Sequence, residues 1–204
     1  MQWAPRRHAR DQRRPAGFVE PCHPILARAA PEGSDWCHEV KHDGWRLIAH
    51  KDAGRVRLWS RTANDLTAQF PAIAEAVGAL TPAVLTLDGE AVVFRPDGHS
   101  AFSALRSRRA ARAAQMIAFD LLEMDGDLRG EPLHERQRQL ERLLKGAPAA
   151  LKRSETIIGR GPEVFVQACA LGLEGIVSKR LDARYRSGRA LTWLKIKNPA
   201  FVRR

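Results

Sequence analysis

Short apolar runs separated by turn-forming residues dominate the chain from Trp36 onward. Trp36 to Asp43, Arg46 to Lys51, Arg55 to Ser60, Val84 to Phe94, Gln115 to Leu122, Gly175 to Leu181 and Leu191 to Lys197 read as strands, because their apolar residues alternate with polar ones or form brief continuous stretches. Helical spacing appears at Phe70 to Leu80, Leu133 to Leu144 and Pro162 to Leu171. In the second helix Leu133, Leu140, Leu143 and Leu144 share a face, and Glu135, Arg136, Arg138, Glu141 and Arg142 are expected in solvent. Hairpin-like strand neighbours with unevenly placed helices predict an α+β domain of mostly antiparallel sheets flanked by helices, not a doubly wound parallel sheet.

One polar interruption carries candidate chemistry. Glu39-Val40-Lys41-His42-Asp43-Gly44-Trp45-Arg46 places a lysine in a K-x-D-G-x-R arrangement. On an extended strand Glu39, Lys41 and Asp43 share one face and Val40 and His42 the other, and Gly44 permits a tight turn. A lysine nucleophile needs help, since a pKa near ~10.4 leaves about one molecule in a thousand unprotonated at neutral pH. Lowering it by roughly 3 units takes about 4 kcal/mol of differential interaction, which neighbouring cations supply. K-x-D-G alone also describes a surface lysine beside a D-G hairpin turn.

Further elements follow in order. Leu87-Asp88-Gly89-Glu90 ends an apolar run with a carboxylate, and Ile117-Ala118-Phe119-Asp120-Leu121-Leu122 is a strand carrying an aromatic. Glu174-Gly175-Ile176-Val177-Ser178-Lys179-Arg180 offers a second carboxylate with cations behind it. In Trp193-Leu194-Lys195-Ile196-Lys197 the alternation aims both ammonium groups to one side of a strand.

With these five motifs, and flanking Phe18-Val19-Glu20-Pro21-Cys22 and Ser60-Arg61, the chain resembles the adenylation domain of ATP-dependent DNA ligases, most closely the ligase part of bacterial end-joining multifunction proteins and their stand-alone relatives. The resemblance covers about Phe18 to Asn198. It implies an ATP-grasp-like nucleotidyltransferase fold, with Lys41 as the nucleophile that bonds to AMP and Asp43 as its orienting or metal-assisting neighbour. Lys195 and Lys197 resemble the pair that holds the α-phosphate. Glu90 and Glu174 resemble the carboxylates of the nucleotide and magnesium site, with a ribose contact left open for Glu90. Phe119 matches the adenine-stacking aromatic, Arg46 and Arg61 the ribose and phosphate contacts, and the backbone at Glu39 and Val40 the base contacts. The implied cofactors are ATP as AMP donor and Mg2+. The implied partner is nicked or broken duplex DNA, with an RNA ligase, a capping-type nucleotidyltransferase or a non-catalytic DNA-binding remnant as alternatives. An oligonucleotide-binding barrel would follow Lys197 in the full ligases, and only 199–204 remain as a basic tail, so a separate repair protein is expected to supply that part.

Composition fits this picture without producing it. Thirty-four Lys and Arg against 23 Asp and Glu give a formal charge of +11, which favours polyanionic partners. No apolar run is long enough to span a bilayer, and a monomer in the cytoplasm, associated with the nucleoid, is expected. Cys22, Cys37 and Cys169 lack a disulfide framework and predict a reducing compartment, and neither Cys22-His23 nor Cys37-His38 has zinc-ligand spacing. Residues 1–17 read as a flexible basic arm ahead of a domain over 18–198. Arg106, Arg108, Arg109 and Arg112 predict a basic surface loop or helix, with nucleic-acid contact as the alternative reading.

Overall fold

The computed structural model describes residues 14–203, so most of the expected N-terminal arm lies outside the described residues. Ten strands form: β1 (Cys22–Leu26), β2 (Trp36–Val40), β3 (Trp45–Asp52), β4 (Arg55–Ser60), β5 (Leu85–Val92), β6 (Gln115–Met124), β7 (Leu151–Arg153), β8 (Ile157–Ile158), β9 (Gly175–Arg180) and β10 (Gly188–Lys197). The helices are α1 (Pro71–Gly78), α2 (Arg108–Ala111), α3 (Leu133–Leu144) and α4 (Gly161–Ala170), with a 3-10 turn over Phe102–Arg106. The strands make two sheets, β1-β10-β9-β2-β8 and β4-β3-β5-β6-β7. Among these strands only β1 with β10 and β6 with β7 run parallel, in agreement with the expected mostly antiparallel α+β class.

Local chemistry explains the frame. Ala53 and Gly54 both adopt positive φ, at 45° and 77°, which makes the two-residue connection that suits the twist of the β3–β4 hairpin. Pro71 opens α1, where its missing N–H costs nothing. β5 is buried along almost its whole length, and its register against β6 shifts at Thr86/Leu87 and at Asp88/Gly89, irregularities that re-aim the side chains beyond them.

Three apolar clusters hold the layers together. The largest joins Leu47, Leu58, Phe70, Ile73, Leu87, Leu105 and Met116 and covers one face of the second sheet with α1. A second joins Cys22, Cys37, Ile48, Trp59, Leu122, Tyr185 and Trp193 and draws on strands of both sheets. A third joins Ala168 of α4 to Ile176 and Ile196 of the first sheet.

Two ion pairs reinforce the region between the sheets. Asp88, fully buried, accepts two hydrogen bonds from Arg46 at 2.5 and 2.7 Å and one from Tyr185 Oη at 2.7 Å. Tyr185 Oη in turn accepts from Cys22 N at 2.9 Å. Asp120 accepts from Arg136 at 2.7 and 2.8 Å, and both side chains are fully buried.

Two expectations need correcting. Arg136 does not solvate α3; its guanidinium turns inward because Asp120 and the carbonyls of Glu131 and Ala183 satisfy it there. The strand expected over Trp36 to Asp43 ends at Val40, so Lys41, His42, Asp43 and Gly44 form the connection from the first sheet to the second and do not alternate as strand residues.

Candidate active site

Lys41 sits on this crossing loop, and its backbone N donates to Gly175 O at 2.9 Å, which ties it to the start of β9. The side-chain Nζ donates to Glu174 Oε2 at 2.6 Å, with Lys41 about one-fifth exposed and Glu174 buried. Glu174 is fixed from the other side, because its carbonyl accepts from Asn198 N and its Oε1 lies 3.9 Å from Lys197 Nζ. Gly175 is required at that junction: it has φ of 139°, and a Cβ would fall 2.0 Å from Ile196 O.

A cleft of about 560 Å3 opens beside Lys41. Glu39, Val40, Lys41, Arg46, Arg61, Glu90, Phe119 and Lys195 line it, so eight of the eleven expected site residues meet there. Asp43 and Glu174 line a neighbouring cavity of about 360 Å3, and Lys41 borders both. Lys197 is exposed and reaches the group through Glu174. The first sheet therefore supplies Lys195, and the second supplies Arg46 and Glu90.

The electrostatics are those of a cationic pocket. Lys195 is held below the ordinary lysine value by burial and by repulsion from Lys197, Lys41 and Arg61. Burial pushes Glu90 up to about 7 against the pull of Arg46 and Lys41. Asp43 is raised by burial, and Arg203 opposes the shift by ion-pairing with both of its oxygens, at 2.7 and 3.1 Å. Arg46 rises above the usual guanidinium value, since Asp88 outweighs the opposing cost of burial.

Several of these side chains also have partners within the protein. Arg46 is bonded to Asp88 with its guanidinium 4.4 Å from the centre of the Phe119 ring, and Lys179 Nζ lies 4.4 Å from the same centre. The Phe119 ring therefore faces two cations. The Glu39 side chain points into the protein, where Lys179 and Gln137 donate to it at 2.8 and 2.9 Å. The short β8 pairs only with Cys37 and His38, so the outer edge of β2 is open at Glu39 and Val40.

Asp88, Lys179, Trp193 and Arg203 were not singled out as site residues by sequence. A buried-looking Asp within Leu85–Val92 was the one available signal, because an acidic residue in an apolar strand calls for a cationic partner.

Two tests arise directly from this geometry. A Cβ on Gly44 would lie 2.3 Å from Ala91 O and 2.8 Å from Glu90 Cγ. Gly44→Ala should therefore displace the Lys41 loop and slow any chemistry at Nζ on the order of a hundredfold, the typical cost of about 1 Å of misplacement. A native rate in that variant would show that the loop relaxes freely. His42 is pulled down to about 4 by burial and by Lys41. It stays neutral in the fold while the unfolded chain takes up its proton below about 6.5. The stability it permits at pH 7 is thus lost as pH falls from about 6.5 towards 4. Urea midpoints at pH 7.5 and pH 5 should differ less in His42→Gln than in the native chain; an unchanged difference assigns the acid sensitivity elsewhere.

Two facing sheets bridged by a lysine loop, with that lysine bonded to a carboxylate beside a Lys-x-Lys strand, have the fold of a nucleotidyltransferase domain. The chain belongs to the ATP-dependent DNA ligase family: residues 19–197 match the family described as "ATP dependent DNA ligase domain". It is 37% identical over 185 residues to the multifunctional non-homologous end joining protein LigD of Pseudomonas aeruginosa, covering 88% of this chain and 22% of that protein. It is 36% identical to a probable DNA ligase of Streptomyces coelicolor, covering 87% of this chain and 39% of that protein. Among solved structures, the ligase domain of Mycobacterium tuberculosis LigD superposes with a TM-score of 0.77 at 35% identity over 88% of this chain and 59% of that one. A mycobacterial DNA ligase D complexed with ATP and MES gives 0.76 at 34% identity over 88% and 60%. The chain thus spans less than a quarter of LigD's length and about two-fifths of the probable ligase's. No helix among the described residues is long and apolar enough to cross a membrane.

Proposed function

We propose that the cleft is the self-adenylation site of a DNA-joining enzyme. Lys41 Nζ attacks the α-phosphorus of ATP, a nitrogen–phosphorus bond forms, and the bond to pyrophosphate breaks. The AMP then passes from Lys41 to a DNA 5′-phosphate, and a neighbouring 3′-hydroxyl displaces AMP as the strand closes. The observation that carries this reading is the 2.6 Å contact between Lys41 Nζ and Glu174 within a ring of cations. Glu174 Oε2 stands where the departing proton of Lys41 has an acceptor. Lys195, with Lys197 two residues on and directed to the same side of β10, offers positive charge for the phosphate oxygens as charge builds on them.

Glu90 and Glu174 are the candidate metal ligands, and no cluster of three or more His, Cys, Asp or Glu occurs among the described residues. That donor set suits magnesium, which binds through one or two carboxylates and completes its shell with water and substrate phosphate oxygens. Bound there, the ion would neutralise charge on the triphosphate.

The test is incubation with α-labelled ATP and magnesium, then denaturing electrophoresis. Label is expected to remain on the protein and to pass to the 5′-phosphate of nicked duplex DNA. Preference for GTP, or transfer to RNA alone, would move the assignment to a capping-type or RNA-joining enzyme. A well-folded chain that takes no label would leave a DNA-binding role only.

A further inference from the structure

Arg106 ends the 3-10 turn, and Arg108, Arg109 and Arg112 lie on or just after α2; all four are exposed. The segment itself is firmly seated. Leu105, Ala111 and Ala114 belong to the largest core cluster, Gln69 Nε2 donates to Leu105 O at 2.9 Å, and the Ser107 hydroxyl accepts from Ala110 N. The guanidinium groups therefore project from a fixed base.

Their charge is also uncompensated. Elsewhere on the surface Arg129 pairs with Asp127, Arg180 with Asp182, Arg160 with Glu163 and Arg138 with Glu135. Among the described residues the four arginines of this segment have no carboxylate partner, and no Asp or Glu occurs between Asp97 and Asp120. Phe102 joins this surface to the cleft. Arg106 lies 6.0 Å and Arg203 4.4 Å from its ring centre, and Phe102 and Arg203 both line the cleft. The unpaired charge of Arg106 and α2 thus begins beside the part of the cleft wall that Phe102 forms.

We infer that the Arg106–Arg112 surface grips the phosphate backbone of duplex nucleic acid whose end enters the cleft. The ligand is a polyphosphate track, because four permanently charged, forked donors without local counter-ions match phosphate oxygens and read no base. This rests on the adenylation reading only for the direction of approach: a strand delivering a 5′-phosphate to Lys41 must pass the cleft mouth, where the arginines begin.

The experiment compares the full chain with Arg108→Gln/Arg109→Gln/Arg112→Gln, three residues that do not line the cleft. Three readouts are taken: covalent labelling by ATP, binding to a nicked duplex across a salt series, and binding to polyglutamate. Labelling should stay within about twofold of native, while the slope of log affinity against log salt should shrink by up to about 2.7, at about 0.9 for each phosphate that an arginine no longer neutralises. Affinity near 0.1 M salt should fall by about tenfold or more. The corresponding triple Lys variant should restore the slope, which a merely misfolded segment would not. An unchanged slope in the Gln variant, or polyglutamate bound as well as duplex, overturns the inference while native labelling leaves the adenylation reading intact. A native chain that takes no label yet loses its slope in the Gln variant does the reverse: the surface stands and the adenylation reading fails.

Discussion

Lys41→Ala is expected to take no label from α-labelled ATP at any time or pH, a loss beyond about 10^4-fold that reflects removal of the bond-forming atom itself. Lys41→Arg should fail as completely. Its guanidinium keeps the positive charge but does not give up a proton near neutrality, so no free electron pair is available to attack phosphorus. Noncovalent ATP binding should survive in both variants, because Lys195, Arg61, Glu90 and Phe119 still line the cleft. Equilibrium binding of labelled ATP, measured beside the covalent assay, separates loss of chemistry from loss of the pocket. If Lys41→Ala still acquires a label, the nucleophile is another amine. Lys195 is the first to examine, since burial together with Lys197 and Arg61 disfavours its charged form even without Lys41.

The second large effect concerns stability. Arg136→Ala would leave Asp120 fully buried with no cationic partner, and breaking one side of such a pair costs roughly 3–5 kcal/mol. In a chain of this size that corresponds to a fall in melting temperature on the order of 10 °C. Arg136→Met combined with Asp120→Leu removes both charges and should recover most of the loss, because an apolar pair of similar volume avoids desolvating either ion. A cost below about 1 kcal/mol for the single change would mean that water reaches the site and that the pair behaves as a surface contact. Chemical denaturation of the two variants decides between these outcomes.

Much of the fold was legible because its longer strands are apolar-rich runs bounded by turn-forming residues. Arg55 to Ser60 coincides with β4, and the readings for β3, β6, β9 and β10 fall within those strands or overrun by a residue. The strands that escaped notice have physical reasons for doing so. β1 contains Pro24 and pairs in parallel with β10, while β7 and β8 are three and two residues long, too brief to show a period. The ordered motifs, read with the family resemblance, brought Lys41, Glu90, Glu174, Arg61 and Lys195 to one place. Partnerships across the fold were not readable in that way. Nothing local to Arg136 distinguishes it from Arg138 or Arg142, and its burial follows from where β6 places Asp120. Arg203 is likewise an ordinary basic residue until the backbone after β10 brings it 160 positions back to Asp43.

The loop that carries Lys41 leaves one sheet and enters the other, while the groups around it are divided between them. A nucleotide seated there acts as mortar between two walls, and its grip strengthens the whole masonry wherever the empty gap is weakest. Tight occupancy at about 100 times the dissociation constant adds roughly 2.7 kcal/mol to unfolding, shared by both walls at once. Backbone amides in β3 and β9 should then slow their hydrogen exchange together, although no hydrogen bond links those two strands.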